Sequence, residues 1–170
     1  MTWIGAMDAT RRRFLASAGA AVVGIAAAGA CARSATAAPP VDYEVTHSDD
    51  EWKRLLTPAQ YDVLRQAGTE MPYSSPLNDE HRRGVFGCAG CALDLFSSDT
   101  KFDSGTGWPS FWKPLDNAVI ERPDDSLLMT RTEVLCRRCG GHLGHVFDDG
   151  PQPTGLRYCM NGVAMVFRPA

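Results

Sequence analysis

Two cysteine pairs place the tightest constraint on how this chain can fold. Cys88 and Cys91 form one CxxC motif, Cys136 and Cys139 form a second, and residues 92–135 lie between them. A two-residue spacing lets one tight turn present two thiolates to a metal ion, and two such turns complete the tetrahedral sulfur shell that zinc prefers. We therefore expect one structural Zn2+ that joins two distant parts of the chain, because four protein ligands leave no open position for catalysis.

Two other interpretations of the CxxC motifs remain open at this point. Each pair could close a local disulfide in an oxidising compartment, or one pair could be a redox-active dithiol of the thioredoxin type. The zinc interpretation is favoured because the two motifs match in spacing and glycines suited to sharp turns flank both of them. The thioredoxin-type interpretation would instead make the protein a dithiol oxidoreductase without bound zinc.

The first 37 residues indicate a targeting segment rather than part of the fold. Three consecutive arginines at positions 11–13 precede an Ala- and Gly-rich run over residues 14–30. Such a run is too short and too weakly apolar for a membrane span, which needs about 20 strongly apolar residues. Residues 10–15 resemble a twin-arginine export signal, and Ala35-Thr36-Ala37 supplies an AxA-like cleavage site.

These features predict a signal peptide at 1–37, a short linker at 38–47 and one domain at 48–170. The protein would then be exported to the periplasm or another extracytoplasmic space. An alternative treats Ala28-Gly29-Ala30-Cys31 as a weak lipobox, which would attach a lipid to Cys31 and tether the protein to a membrane. Alanine in place of the usual leucine three residues before the cysteine disfavours that alternative.

The charge balance argues against a nucleic-acid partner. The whole chain has a formal net charge of −3, and loss of four arginines and one aspartate with residues 1–37 changes it to −6. A nucleic-acid-binding domain would be basic, with clustered lysines and arginines. We expect a monomer with no nucleic-acid partner and no stable membrane span.

Local patterns predict an α+β, mainly β fold with short N-terminal helices. Residues 48–51 (SDDE) and 57–60 (TPAQ) each match a capping box, so two short helices are expected between about 49 and 67, with Gly68 as the stop. After Pro72, short β-rich runs separated by turn residues predict an antiparallel sheet. The predicted strands are residues 85–86, 93–96, 118–121, 127–135, 145–147 and 155–168.

Cys159 is the candidate nucleophile, because it belongs to neither CxxC motif. Alternation along a strand places Arg157, Cys159 and Asn161 on one face. A nearby arginine lowers the pKa of a thiol and favours the reactive thiolate, while an asparagine amide can orient a polar substrate group. A buried, unreactive cysteine in a core strand is the alternative, and the two polar neighbours argue against a dry core.

Two further groups of residues are candidates for a catalytic site. His142 and His145 lie among glycines in a segment flexible enough to present both imidazoles to one cavity as acid or base catalysts. Two solvent-facing loop histidines are the alternative. Trp108 and Phe111 belong to an aromatic cluster on a Gly/Pro-rich loop, which could pack in the core or form the wall of a small apolar pocket.

The order and density of several motifs resemble one known family. The motifs are residues 77–80 (LNDE), 101–111, 142–151 and 153–161, and the match runs from Thr57 to Pro169. With these motifs the chain resembles the methionine-R-sulfoxide reductases of the B type. The resemblance implies a β-rich fold of two antiparallel sheets, a structural zinc on the four CxxC cysteines, and reduction of the R epimer of methionine sulfoxide. The substrates would be oxidised proteins, with free methionine sulfoxide as a further candidate.

The resemblance also implies a role for each candidate residue. Cys159 would attack the sulfoxide sulfur as a thiolate and become a sulfenic acid. His142 and His145 would donate a proton to the sulfoxide oxygen, and Asn161 and Arg157 would position groups or stabilise the thiolate. Trp108, with Phe111 beside it, would bind the substrate, since an indole face suits its S-methyl group.

One departure from the family pattern concerns the second half of the reaction. Many relatives carry a resolving cysteine where this chain has Thr106, and a threonine cannot form a disulfide. We therefore expect a one-cysteine enzyme, whose sulfenic acid is reduced by an external thioredoxin-like protein or small thiol. The alternative function is an extracytoplasmic zinc-binding interaction module without catalysis, in which Cys159 would be dispensable.

Overall fold

The computed structural model of the protein describes residues 41–126 and 130–170. The predicted signal peptide, Cys31 and residues 38–40 of the predicted linker lie outside these residues, and so do residues 127–129 of a predicted strand. The described chain is mainly β, with two antiparallel sheets and two short α-helices, so the predicted fold class is confirmed. Within the two described ranges, no helix has the length and apolar character to cross a membrane.

Two α-helices begin the domain, and both start at the predicted capping boxes. Helix α1 is Asp49–Leu55 and helix α2 is Pro58–Gln66. The side chains of Ser48 and Thr57 accept hydrogen bonds from the backbone N–H groups of Glu51 and Gln60. In return, the side chains of Glu51 and Gln60 accept hydrogen bonds from the backbone N–H groups of Ser48 and Thr57. These bonds satisfy N–H groups that have no partner within the helix. Helix α2 ends at Ala67 in the left-handed conformation, one residue before the glycine expected to stop it.

In the described part of the chain, nine strands follow the helices and form two sheets. They are β1 (Gly84–Cys88), β2 (Asp94–Ser97), β3 (Lys101–Phe102), β4 (Ser110–Phe111), β5 (Val119–Asp124), β6 (Arg131–Cys136), β7 (His142–Phe147), β8 (Arg157–Met160) and β9 (Met165–Pro169). One sheet has three strands in the order β2-β1-β9, and the other has six in the order β3-β4-β8-β7-β6-β5. The two-residue strands β3 and β4 were not predicted, because they are too short to show alternation.

The prediction of one long strand at residues 155–168 is wrong in one respect. The structure divides it into β8 and β9, which a short 310 turn at Gly162–Ala164 separates. Strand β8 lies inside the six-stranded sheet, whereas β9 pairs with β1 in the other sheet. The chain therefore passes from one sheet to the other three residues after Cys159, and this bend brings both sheets to the candidate nucleophile.

Aromatic residues from both sheets form the centre of the core. Phe96 stacks on Phe111 with ring centroids 4.4 Å apart, and Phe86 meets Phe111 at 5.0 Å. All three side chains are fully buried. Contacts of this kind stabilise beyond the burial of area alone, so they fix how the sheets lie against each other.

Candidate active site and metal centre

The four CxxC cysteines come together where two strands from different sheets end. Cys88 is the last residue of β1 and Cys136 is the last residue of β6. The four sulfur atoms all lie within 4.8 Å of one another, with Cys88 Sγ 3.7 Å from Cys139 Sγ and Cys91 Sγ 3.4 Å from Cys136 Sγ. Both close pairs join different motifs, and all four cysteines are free thiols, which is not the arrangement of two local disulfides.

This cluster passes a simple geometric test for zinc. Four sulfurs at about 2.3 Å from a tetrahedral zinc lie about 3.8 Å from each other, and the two distances above are close to that spacing. Three of the four residues are buried, and soft thiolates are the ligands that Zn2+ prefers at structural sites. The donor set therefore fits zinc and leaves no coordination position for a substrate.

Cys159 lies in a different place, in a small cleft on the six-stranded sheet, whose walls include residues of β6, β7 and β8. The cleft has a volume of about 160 Å³. Its walls bring together several of the predicted residues with others that the sequence did not point to. The lining residues are Thr69, Trp108, Arg131, Gly144, His145, Phe147, Cys159 and Asn161.

The register of the sheet explains why these side chains meet. Cys159 in β8 lies directly opposite His145 in β7 and directly opposite Ser110 in β4. Residues opposite each other on antiparallel strands point to the same face. A row of functional side chains therefore crosses three strands at one level of the sheet.

A β-bulge places both histidines on this face. In a regular strand, residues three apart point to opposite faces, but Leu143 is an extra residue that shifts the pairing of β7 with β6. The rings of His142 and His145 consequently lie 5.4 Å apart. Gly144 is required here, because a Cβ atom would come within 2.1 Å of the Cys159 carbonyl oxygen. Both histidines lie in a bulged strand and not in a solvent-facing loop, and the two rings are neighbours.

His142 is buried behind the cleft rather than in its wall. Its Nδ1 lies 2.7 Å from Glu133 Oε1, and its Nε2 is buried without a hydrogen-bond partner among the described residues. Burial raises the pKa of Glu133, but hydrogen bonds from His142 and Arg122 outweigh that effect, so the pKa is lowered overall. An ionised Glu133 accepts a hydrogen bond from the Nδ1–H group of His142, and this contact fixes the orientation of the ring.

His145 is the histidine that reaches the cleft. Its Nε2 lies 2.8 Å from Asp124 Oδ2, and Asp124 also pairs with Arg131. Burial lowers the pKa of His145, and the Asp124 carboxylate only partly opposes this. The lower pKa favours the neutral ring at pH 7, with Nε2–H donating to Asp124 and Nδ1 as the acceptor.

The environment of Cys159 differs from the expectation in one respect. Burial raises the pKa of the thiol, while Thr106, Arg157 and Ser110 lower it by smaller amounts. The guanidinium of Arg157 makes two 2.8 Å hydrogen bonds to Asp149 and lies over the ring of Phe147. Arg157 thus acts in the predicted direction but does not dominate, because the Asp149 carboxylate neutralises much of its charge.

Asn161 holds the backbone together at the bend beside Cys159. Its Oδ1 accepts from the Glu70 N–H at 2.9 Å, and its Nδ2 donates to the Leu143 carbonyl at 3.1 Å. The Glu70 carbonyl in turn accepts from Trp108 Nε1 at 3.1 Å. One peptide segment therefore positions both Trp108 and Asn161, and the amide of Asn161 keeps one N–H and one acceptor position for other groups in the cleft.

The structure corrects the assignment of Phe111 to the substrate pocket. Phe111 is fully buried between Phe86 and Phe96 and does not line the cleft. The reason is strand alternation: Ser110 points toward Cys159, so Phe111 must point to the opposite face. Trp108, which precedes this strand, does line the cleft.

Several residues of the site gave little indication in the sequence. Thr69 and Glu70 lie in a segment without regular structure, and Asp124 ends β5. Glu133 shows the one pattern that could have been recognised, because an acidic residue within an otherwise apolar strand core needs a buried partner. A larger cavity of about 450 Å³, beside α2 and β9, contains no cysteine or histidine and is not where this chemistry lies.

Comparison with known proteins identifies the family of the chain. A family model described as the SelR domain matches residues 56–169. A peptide methionine sulfoxide reductase MsrB of Leptospira interrogans is 54% identical over 129 residues, which cover 75% of this chain and 98% of the relative. MsrB of Leifsonia xyli is 55% identical over 130 residues (75% and 94%), and MsrB of Pseudomonas putida is 57% identical over 121 residues (71% and 92%). The chain therefore belongs to the SelR, or MsrB, family of peptide methionine sulfoxide reductases.

Proposed function

We propose that this protein reduces the R epimer of methionine sulfoxide in oxidised proteins, with Cys159 as the nucleophile. One observation carries the proposal: Cys159 is the only described cysteine outside the metal cluster, and it shares a cleft with Trp108 and His145. The family assignment supplies the reaction class, and the stereochemistry follows that family. Free methionine sulfoxide is a further candidate substrate.

The first step transfers oxygen from the substrate to the enzyme. The Cys159 sulfur attacks the sulfoxide sulfur, the sulfur–oxygen bond of the substrate breaks, and Cys159 becomes a sulfenic acid while methionine leaves. The thiol loses two electrons and the sulfoxide gains two, and the thiol proton is retained on the sulfenic acid oxygen. The indole of Trp108 provides an apolar surface for the substrate's S-methyl group.

His145 is the group placed to move the proton. Its ring lies opposite Cys159 in the sheet and lines the cleft, so it can accept the thiol proton and return it to the developing oxyanion. His142 does not line the cleft, but its ring lies 5.4 Å from the ring of His145, which does. We therefore assign His142 to orienting His145 and to relaying protons. Arg157 favours the thiolate by its charge, whereas Asn161 acts through backbone positioning.

The second step requires an electron donor from outside the chain. Thr106 Oγ1 lies 3.8 Å from Cys159 Sγ, so a hydroxyl stands where a resolving thiol would have to be. Within the described residues, the other four cysteines belong to the metal cluster at the ends of β1 and β6. We therefore propose a one-cysteine cycle, in which a thioredoxin-like protein or a small thiol reduces the sulfenic acid.

The four clustered cysteines would hold one structural zinc ion. Bound there, zinc would cross-link the ends of β1 and β6 and would supply no catalytic chemistry, because four thiolates complete its coordination.

For cellular location, we propose export through the twin-arginine route to an extracytoplasmic space, with lipidation of Cys31 as the alternative. We also propose that the protein acts as a monomer.

Turnover of the two separated epimers tests the proposed function directly. Wild type is expected to reduce the R epimer with dithiothreitol as the reductant, and Cys159→Ser is expected to lose turnover while it retains one zinc per chain. Activity on the S epimer, or activity that survives the substitution, would overturn the assignment. If Cys159→Ser kept the full biological function of the protein, the non-catalytic zinc module would be favoured instead.

A further inference from the structure

Three hydroxyl groups form a line that starts at the thiol of Cys159. Thr106 Oγ1 lies 3.8 Å from Cys159 Sγ, Ser104 Oγ lies 2.8 Å from Thr106 Oγ1, and Ser110 Oγ lies 2.7 Å from Ser104 Oγ. The line ends at a backbone acceptor, because the Ser110 hydroxyl lies 3.1 Å from the Trp108 carbonyl. Ser110 is fully buried, and both Ser104 and Thr106 are partly buried.

The number of hydrogens restricts this line to two arrangements. Each hydroxyl has one hydrogen to donate, so the donors in an unbroken line must all point the same way. With a neutral thiol, the S–H donates to Thr106, and the hydroxyls donate in turn toward the Trp108 carbonyl. With a thiolate, the order reverses, and Ser110 donates to Ser104, Ser104 to Thr106, and Thr106 to the sulfur.

We propose that Thr106 is a positioning residue that stabilises the thiolate of Cys159, and that Ser104 and Ser110 support it by reversing their donor direction when the thiol ionises. This inference rests on the proposed function, since it concerns the nucleophile of that reaction. It gives Thr106 an active role in place of the missing resolving cysteine. Hydrogen bonds to an anion are stronger than those between neutral groups, and a chain of donors polarises each of its members.

Three charged or titratable side chains also lie near Cys159, and one of them, Arg157, lowers the pKa of the thiol as well. His145 faces it from β7, Arg131 faces the cleft from β6, and Arg157 lies on its own strand with its charge paired to Asp149. From β4 and the loop before it, the polar side chains on the Cys159 side are the hydroxyls of Thr106 and Ser110, and both lower the pKa of the thiol. The line of hydroxyls reaches the sulfur through Thr106, whose Oγ1 lies 3.8 Å from it.

The rate at which iodoacetamide alkylates Cys159, measured against pH on the zinc-loaded protein, tests the proposal. Mass spectrometry of the peptide that contains Cys159 separates its signal from the metal cysteines. Thr106→Val keeps the shape but removes the donor, so we expect a titration shifted to higher pH and alkylation about tenfold slower at pH 7. Thr106→Ser should restore the rate to within a few-fold.

Ser104→Ala separates a chain of hydroxyls from a single contact. It leaves Thr106 in place, and we expect a shift in the same direction but smaller, about threefold at pH 7. Thr46→Val, at an exposed position before α1, is the matched control and should change nothing. An unchanged pH profile in Thr106→Val, or a failure of serine to rescue, would overturn the role of Thr106. An unchanged profile in Ser104→Ala would overturn the chain.

The measurement is independent of sulfoxide turnover. If wild type failed to reduce either epimer, the proposed function would fall, and the alkylation profiles would still decide whether Thr106 stabilises the thiolate. If wild type turned over the R epimer but the profiles of Thr106→Val and wild type coincided, only the present inference would fall.

Discussion

The backbone N–H of Glu70 donates a hydrogen bond to the side-chain oxygen of Asn161, and the two atoms lie 2.9 Å apart. These residues are far apart in the sequence, yet the contact fixes the bend beside the nucleophile. The carboxylate of Glu70 extends the same junction, because it accepts hydrogen bonds from the backbone N–H groups of Gly162 and Val163. Glu70 therefore binds the 310 turn through its side chain and Trp108 through its carbonyl.

Removal of the Glu70 carboxylate should weaken both the fold and substrate binding. In Glu70→Ala the N–H groups of Gly162 and Val163 lose their acceptor, which is expected to cost about 2 kcal/mol of unfolding free energy. We also expect KM to rise more than kcat falls, because Trp108 is less well fixed. Urea denaturation and steady-state kinetics measure the two effects. Glu44→Ala, which removes the exposed ion pairs with Arg137 and Arg138, is the control and should cost about 1 kcal/mol or less.

A cysteine at position 106 should convert the enzyme to internal disulfide chemistry. Thr106 Oγ1 is 3.8 Å from the Cys159 sulfur, and Gly105 in the same loop has open space around it. In Thr106→Cys, one equivalent of sulfoxide without added thiol should therefore give a disulfide, seen by mass spectrometry as a loss of two hydrogens. Wild type and Thr106→Ser should instead give a sulfenic acid that dimedone traps. A dimedone adduct on Thr106→Cys would contradict the geometry.

Glu133 should make the fold sensitive to acid. Its pKa is lowered in the folded state, despite burial, by His142 and Arg122. Because the pKa of Glu133 is lower in the folded state, its carboxylate stabilises the fold at pH values above its unfolded-state pKa, which is near 4.5. This stabilisation is lost as the pH falls through the pKa of the folded state. Urea denaturation should show that Glu133→Gln is less stable than wild type at pH 7 by about 2 kcal/mol. The difference should shrink below about pH 4, and a difference independent of pH would exclude this contribution.

Metal removal should unfold the domain. Structural zinc contributes about 10–16 kcal/mol in small zinc domains, which matches or exceeds the net stability of about 5–15 kcal/mol that whole domains possess. A chelator added with a mild denaturant should therefore release one zinc per chain and abolish the cooperative thermal transition seen by circular dichroism. Cys136→Ser should behave like the chelated protein, whereas Cys159→Ser should retain both zinc and the transition. An intact transition after full metal release would show that zinc is not structural.

The sequence was most informative where the signal is local. The capping boxes predicted both helix starts, because the residues that satisfy the first N–H groups are only three positions apart. The same locality let the CxxC spacing predict the four-cysteine cluster. Alternation also placed Arg157 and Cys159 on one face of a strand, and the regular pairing of β8 with β7 shows this arrangement.

The sequence was least informative where a distant partner decides the outcome. The bulge at Leu143 is visible only in the pairing of β7 with β6, so the relation between His142 and His145 could not follow from their spacing. Phe111 was assigned to the pocket because the register of β4 was unknown. Glu70 could not be found for the same reason, since each of its partners lies more than 35 positions further along the chain.

The place of β1 in the three-stranded sheet has a consequence for how the protein is made. Its neighbours are β2, which follows at once, and β9, which begins at residue 165. One edge of β1 therefore stays unpaired during synthesis until almost the whole domain has left the ribosome, and pairings over such long separations form slowly. The bend at residues 161–164, which shapes the cleft, is drawn into place by the same late event. A nascent chain should thus have an incomplete cleft around Cys159 until β9 pairs with β1.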